Sequence, residues 1–265
     1  MDKLLSIAVA AALKAGENIL KIYWNPAADL GTEYKADRSP LTIADRKAHK
    51  IIASALKNTT YPLLSEEGEI PPYEIRKEWK TFWMVDPLDG TKEFLKRNGE
   101  FTVNIALIRE NRPELGVIYA PVKKELYYGS TAQGAYKAIL SGEETYSVGE
   151  IETRALHLPT VKGNCPYTVI VSRTHRNAHT ERYIEKLRQE HGQIKEITVG
   201  SSLKICLVAE GSADIYPRLA PTMEWDTAAG HAIALAAGKN IYGTDETTPL
   251  NYNKPDLHNP DFIVK

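Results

Sequence analysis

The sequence predicts a mixed α/β protein of layered α+β type, on three observations. Two long amphipathic segments come first, Leu4 to Tyr23 and Thr42 to Lys57. Short strand-like runs separated by turn residues then succeed one another as far as Ala138, the pattern of an antiparallel meander. Beyond Pro159 strand-like and helix-like runs alternate, which indicates an α/β second half. A chain of 265 residues suits one large or two intimate domains. The polar, Glu-rich stretch from Ser141 to Pro159 places the boundary, giving residues 1–150 and 151–265.

The first helix rests on Leu4, Leu5, Ala8, Ala11, Ala12, Ala15 and Ile19, which fall mostly on one helical face. Leu4 to Leu13 is uncharged and imitates the apolar part of a secretory leader. The apolar spacing resumes past Lys14 and Glu17 at Ile19, Leu20 and Ile22, so the segment reads as the first helix of a cytoplasmic protein. A polar loop, Asn25 to Pro40, precedes a second helix in which Ile43, Lys47, Ile51 and Leu56 are helically spaced. Tyr61 to Ser65 is a short strand that opens into Glu66, and Pro71-Pro72 breaks the chain. Trp79 to Val85 is a strand. Phe101, Val103, Ile105 and Leu107 alternate as a half-buried strand would. Strands follow at Leu115–Ala120, Glu125–Ser130 and Gly134–Ala138. The second half reads as strand Thr168–Ser172, helix Ala178–His191, strand Ile194–Val199, helix Ser202–Glu210, strand Ala213–Tyr216 and helix Asp226–Ala237.

Composition excludes several classes. Lys plus Arg is 33 against 34 for Asp plus Glu, a net charge of −1, so the basic excess of a nucleic-acid binder is missing. Hydrophobic residues at 43% and charged residues at 25% are globular values and exclude wholesale disorder. Cys165 and Cys206 lack zinc-ligand spacing and read as reduced core thiols. No run approaches the ~20 apolar residues that span a bilayer, which leaves peripheral membrane association open. His175 and His179 are four apart, but the residues between them lack the Glu of zinc proteases. There is no G-x-S-x-G elbow and no Walker motif.

The informative segment is Asp86-Pro87-Leu88-Asp89-Gly90-Thr91, at the mouth of an apolar strand. Pro87 fixes its backbone angle and offers no N–H, and Gly90 permits a sharp turn with close ligand approach. N–H groups after Gly90 can cradle a phosphate. Two acids beside an anion cradle suggest a divalent cation bridging protein and phosphate. Taken alone, the segment reads sooner as an Asp-Pro turn with a second Asp as a cap. Further acids where loops leave apolar elements (Asp37, Asp45, Glu66 and Asp226) supply the hard oxygen donors that Mg²⁺ takes.

These segments resemble the signatures of the inositol monophosphatase superfamily, Mg²⁺-dependent and lithium-sensitive phosphatases. Asp86 to Thr91 resembles its DPxDGT element and Trp225-Asp226-Thr227-Ala228-Ala229-Gly230 its WDxAAG element. Ser65-Glu66-Glu67 and the Lys35 to Asp45 loop resemble its upstream acidic and N-terminal elements, all in the family's order. Lys92-Glu93-Phe94 stands where inositol phosphatases typically carry Thr-Asn-Phe, while Gly200-Ser201-Ser202-Leu203-Lys204, Tyr216-Pro217-Arg218 and Val171 to His175 are similar to the bacterial 3′(2′),5′-bisphosphate nucleotidase branch.

The resemblance implies an αβαβα sandwich, with an antiparallel sheet in the N-terminal half, a smaller mixed sheet in the C-terminal half, and the site in the cleft between. It implies two or three Mg²⁺ ions on Glu66, Asp86, the Leu88 carbonyl, Asp89 and Asp226, with Asp37 helping a weaker ion through water. Thr91 and Asp45 would orient the attacking water and take its proton. Asp89 and Asp226 would hold the ion that meets the departing ribose oxygen. Gly90 and Thr91 would hold phosphate oxygens, while Ser201, Lys204 and Arg218 receive the second phosphate. Ser172, His175 and Glu224 are weaker candidates near the nucleotide. The implied substrate is a small phosphonucleotide, adenosine 3′,5′-bisphosphate or its phosphosulfate, with no nucleic-acid partner and a monomeric state. An inositol or sugar monophosphatase and a non-catalytic phosphonucleotide sensor stay open as alternatives.

Overall fold

A computed structural model describes residues 1–25, 27, 30–34, 40–141, 146–161, 166–173 and 176–265. Helix α1 (Lys3–Tyr23) starts where the Asp2 carboxylate accepts the Leu5 N–H, and it buries Leu5, Ala8, Ala11, Ala12, Ala15 and Ile19. This is the face that the spacing marks. Strands β1 (Glu33–Tyr34) and β2 (Pro40–Leu41) form a small antiparallel pair before helix α2 (Ile43–Leu56), which begins with a Thr42/Asp45 capping box.

Strand β3 (Leu63–Ser65) leads through the short helix α3 (Tyr73–Arg76) to β4 (Thr81–Asp89) and the short helix α4 (Thr91–Leu95). Strands β5 (Thr102–Arg109), β6 (Arg112–Ala120), β7 (Glu125–Ser130) and β8 (Gly134–Ile139) form the meander. Glu110 and Asn111, both at positive φ, turn β5 into β6, as a two-residue hairpin matched to the strand twist requires. Helix α5 (Val148–Arg154) and β9 (Leu156–His157) lie in the polar stretch that read as a boundary. The large sheet has the order β3-β4-β5-β6-β7-β8-β9. It is antiparallel except for β3 and β4, which run parallel across the crossover containing α3.

The second half holds β10 (Tyr167–Ile170), α6 (Ala178–His191), β11 (Ile194–Ile197), α7 (Leu203–Ala209), β12 (Tyr216–Arg218), α8 (Glu224–Ala236), β13 (Ile241–Gly243) and β14 (Phe262–Val264). A parallel β10–β11 pair and an antiparallel β12-β14-β13 trio meet through a parallel bridge between Val169 and Ile215. The small sheet is therefore mixed, as expected. The strand read at Ala213–Tyr216 lies slightly later, at Tyr216–Arg218, and the C-terminal strands have no counterpart in the sequence reading.

Among the described residues four apolar clusters sit between five layers. One packs α1 and α2 on the large sheet, with Trp83, Val85, Val103, Ile105 and Leu107 pointing that way. On the opposite face Phe82, Met84, Ala106 and Ile108 pack against α7 and α8, including Trp225. A third cluster joins α7 and α8 to the small sheet, and a fourth joins that sheet to α6. Burying each large side chain here contributes about 1.5–3 kcal/mol. Strand β5 is thus buried on both faces, not half-buried, because α8 covers the residues that alternate with its Val and Ile positions.

Candidate active site

Because β3 and β4 are parallel, their C-terminal ends reach the same edge of the sheet. Ser65 pairs with Val85, which sets Glu66 beside Asp86. The Glu66 N–H donates to the Val85 carbonyl at 3.1 Å. Asp89 stands three positions after Asp86, an odd offset that in a regular strand would send them to opposite faces. Between them β4 carries one extra residue: Asp86 pairs with Asn104 and Asp89 with Thr102. This bulge turns Asp89 to the side shared by Asp86 and Asn104, and Leu88 into the aromatic core beneath. Pro87 occupies it without wasting a ladder N–H. The Leu88 N–H closes on Asp86 Oδ1 at 3.0 Å. The strand read as ending at Val85 therefore runs on to Asp89.

Gly90 follows at φ +93°, the left-handed conformation. A Cβ there would stand 3.2 Å from the Glu100 carbonyl and 3.3 Å from Ser201 Cβ. Gly90 thus starts α4 and lets the two halves approach closely. Thr91 Oγ1 donates to Asp45 Oδ1 at 3.1 Å. The other oxygen of Asp45 accepts the Thr42 N–H at 2.8 Å and the Thr42 hydroxyl. One carboxylate therefore caps α2 with one oxygen and holds Thr91 with the other. Burial pushes the Asp45 carboxyl upward against the lowering effect of the Thr42 hydrogen bonds.

The opposite wall comes from the C-terminal half. Asp226 lies in the first turn of α8, its Oδ2 accepting the Met223 N–H at 2.9 Å. It combines a capping role with a place in the cleft, which it lines together with Asp89, Gly90, Ser201, Lys204 and Arg218. Burial raises the Asp86 carboxyl well above its ordinary range, and the charges of Glu66, Asp89 and Asp226 add to the rise. Asp226 is raised by burial, then by Asp89 and Glu66. The Lys204 ammonium donates to the Ser201 carbonyl at 2.7 Å. Its pKa is lowered to about 8, chiefly by burial, with Arg218 adding to the fall and Asp89 opposing it. Arg218 donates to Ser172 Oγ at 3.4 Å and to the Pro221 carbonyl at 3.0 Å. Among the described residues Arg218 Nε and Ser201 Oγ are buried without a hydrogen-bond partner, and both residues line the cleft.

The Inositol monophosphatase family profile matches residues 1–264. The chain belongs to the inositol monophosphatase family. It is 45% identical over 257 residues to the 3′(2′),5′-bisphosphate nucleotidase CysQ of Escherichia coli O157:H7, covering 96% of each chain. It is 32% identical over 267 residues to the CysQ protein of Haemophilus influenzae, covering 99% of this chain and 93% of that one. The crystal structure of CysQ from Bacteroides thetaiotaomicron matches with a TM-score of 0.89 at 52% identity, over 99% of this chain and 96% of that one. Thermotoga maritima IMPase shares the fold, with a TM-score of 0.73 at 22% identity over 100% of this chain and 92% of the other.

In this inositol monophosphatase-family cleft the structure gathers Asp86, Asp89 and Asp226 with Glu66, and sets the Asp45–Thr91 pair at their flank. Leu88 contributes its carbonyl, 3.4 Å from Thr91 Oγ1. Glu224 is placed otherwise. Its carboxylate accepts the Asn253 and Lys254 N–H groups at 2.6 and 3.0 Å and the Lys254 ammonium, and it does not line the cleft. It ties the start of α8 to the C-terminal loop. Asp37, His175 and Cys165 lie outside the described residues, and Cys206 is a buried free thiol.

The contacts of two side chains, Glu100 and Ser202, were missed by sequence reasoning. Glu100 Oε2 accepts both the Gly200 N–H and Arg173, at 3.0 Å each, across the cleft. Ser202 Oγ reaches Asp89 Oδ2 at 2.6 Å. Among the described residues no three acidic, His or Cys side chains are already closed into a metal cage. The donor set nevertheless fits Mg²⁺: it is all oxygen, and its carboxylates repel one another until a cation is shared.

Proposed function

We propose that this chain is a Mg²⁺-dependent 3′(2′),5′-bisphosphate nucleotidase that hydrolyses adenosine 3′,5′-bisphosphate to AMP and phosphate, and also accepts the corresponding 5′-phosphosulfate. One observation carries the reading: a single cleft is lined both by the acids Asp89 and Asp226 and by two cations, half-buried Lys204 and buried Arg218. Such a cleft suits a molecule with two anionic groups, one to be cleaved and one to be held. The named CysQ relatives support the choice of substrate.

Glu66, Asp86, Asp89, Asp226 and the Leu88 carbonyl would hold two or three Mg²⁺ ions. When bound, Mg²⁺ lowers the pKa of water and neutralises phosphate and leaving-group charge. The protein's own part is positioning and proton transfer. Thr91 accepts and orients the attacking water, its own proton committed to Asp45. Asp45, raised by burial, takes the proton released as water adds to the 3′-phosphorus. The bond from phosphorus to the ribose 3′-oxygen breaks as the new one forms. The first-turn N–H groups after Gly90 receive phosphate oxygens. Ser201, Lys204 and Arg218 hold the 5′-group, the unpartnered Arg218 Nε and Ser201 Oγ becoming satisfied. Residues 1–150 and 151–265 act as the two walls of this cleft, in a cytoplasmic monomer with no nucleic-acid partner.

A phosphate-release panel tests the reading. Adenosine 3′,5′-bisphosphate, its phosphosulfate and inositol 1-phosphate are compared with Mg²⁺, with and without Li⁺. Preference for the bisphosphate, with inhibition by Li⁺, is expected. Preference for inositol 1-phosphate would replace the reading with a monophosphatase, and binding without turnover would make the chain a sensor.

A further inference from the structure

Ser202 stands at the N-cap of α7, where a serine hydroxyl ordinarily accepts an N–H of its own helix. It makes no such bond here. Its hydroxyl lies 2.6 Å from Asp89 Oδ2 and 3.0 Å from the Asp226 carbonyl, and it receives the Asn104 side-chain amide at 2.7 Å. Asn104 Oδ1 in turn accepts the Thr102 hydroxyl at 2.9 Å. Thr102, Asn104 and Ser202 are all buried.

The direction of this chain follows from its donors. An amide nitrogen only donates, so Ser202 Oγ must accept from Asn104 and spend its single proton elsewhere. The shorter contact, and the one to a charged acceptor, is Asp89 Oδ2. The Thr102 hydroxyl completes the chain by donating to Asn104 Oδ1 at its far end. Reversed, Asn104 would take the Ser202 proton and leave Asp89 Oδ2 without a donor. The helix thus gives up a cap worth about 1 kcal/mol.

We infer that Ser202, oriented by Asn104 and Thr102, is a positioning residue that holds one oxygen of Asp89 and aims the other at the cation. The inference rests on the proposed function only in taking Asp89 as a Mg²⁺ ligand. The chain also crosses the cleft: Asn104 belongs to β5, Ser202 to the start of α7, and the second acceptor is a backbone carbonyl of α8. Loading the cation and keeping the two walls in register are therefore one act.

Mg²⁺ alone, without nucleotide, is the probe. The rise in melting temperature with Mg²⁺ concentration is measured for the wild type, Ser202→Ala and Ser202→Thr, and the Mg²⁺ dependence of turnover is measured in parallel. Comparing each variant with its own metal-free form removes any general loss of stability. Outer hydrogen-bond partners of metal ligands change affinity by about 10- to 100-fold. Ser202→Ala is expected to need at least ten times more Mg²⁺ for half-maximal stabilisation and turnover, with KM for the nucleotide within two-fold at saturating Mg²⁺. Ser202→Thr keeps the hydroxyl and restores the wild-type requirement. Asn104→Ala shifts the requirement in the same direction, and adds nothing further to Ser202→Ala. An unchanged Mg²⁺ requirement in Ser202→Ala, or a fully additive double variant, overturns the inference. A wild type that Mg²⁺ neither stabilises nor activates overturns the proposed function instead.

Discussion

Thr91 offers the cleanest separation of chemistry from folding. Its hydroxyl touches Asp45 and the Leu88 carbonyl, while the α2 cap depends on Thr42 and the other Asp45 oxygen. Thr91→Ala should lower kcat by about 10²–10⁴-fold, the range for a lost proton-transfer partner, with little change in melting temperature. Near-normal turnover would remove the pair from the mechanism. Lys204→Ala should raise KM for the bisphosphate roughly ten- to a hundred-fold, the worth of a hydrogen bond to a charged group. A monophosphate's KM should scarcely change; equal losses for both would detach Lys204 from the second phosphate. The acids were legible because Asp, Pro and Gly at fixed offsets restrict the backbone as well as supplying donors. Ser202 was not, since a serine opening a helix reads as a cap. Glu224 misled for the opposite reason: next to Trp225 in sequence, it is consumed by Asn253 and Lys254, far along the chain.

At the scale of elements, the bulge in β4 and the seating of α8 decide whether acids from both halves meet. A Cβ on Gly116 would lie 2.2 Å from the Ala229 carbonyl, so α8 rests directly on β6. Gly116→Ala should push the helix, with Asp226 on it, off the sheet. Overpacking of this kind costs about 1–3 kcal/mol. A melting temperature lower by several degrees and a weaker response to Mg²⁺ are expected. An unchanged melting temperature would mean that the helix can shift without cost. The long helices and the meander were readable because their apolar spacings are regular. The bulge was hidden, since Asp86 and Asp89 look the same in sequence whether they share a face or not. Strands β13 and β14 were hidden as well, being three residues each and defined by partners distant in the chain. So was the burial of both faces of β5, which only α8 explains.

For the whole molecule, gathering four carboxylates costs stability that a cation returns. Mg²⁺ at a hundred times its Kd should add about 2.7 kcal/mol per site, seen as a higher melting temperature. A melting curve indifferent to millimolar Mg²⁺ would contradict a convergent site. Acid should act through His231, which is buried on α8. Its Nε2 meets Asn240 Oδ1 at 2.7 Å and its Nδ1 meets the Tyr252 hydroxyl at 2.8 Å. Asn240 Oδ1 also accepts the Ile241 N–H, so the neutral ring carries its proton on Nε2 and accepts from Tyr252. Burial, with Arg112 adding, pushes its pKa from 6.5 down to about 4. In that window the unfolded chain binds a proton that the native one refuses. The stabilisation is complete above the unfolded value and is lost as pH falls through the folded one, on the order of 3 kcal/mol in all. His231→Gln should therefore melt below the wild type at pH 7 and close the gap by pH 4; a constant gap would refute the assignment. The layer formed by α7 and α8 faces the large sheet on one side and the small sheet on the other. Neither sheet can lose its packing without stripping that shared layer from its neighbour. Calorimetry should thus record one unfolding event whose van't Hoff and calorimetric enthalpies agree, the chain melting as one cooperative unit despite its two-walled cleft.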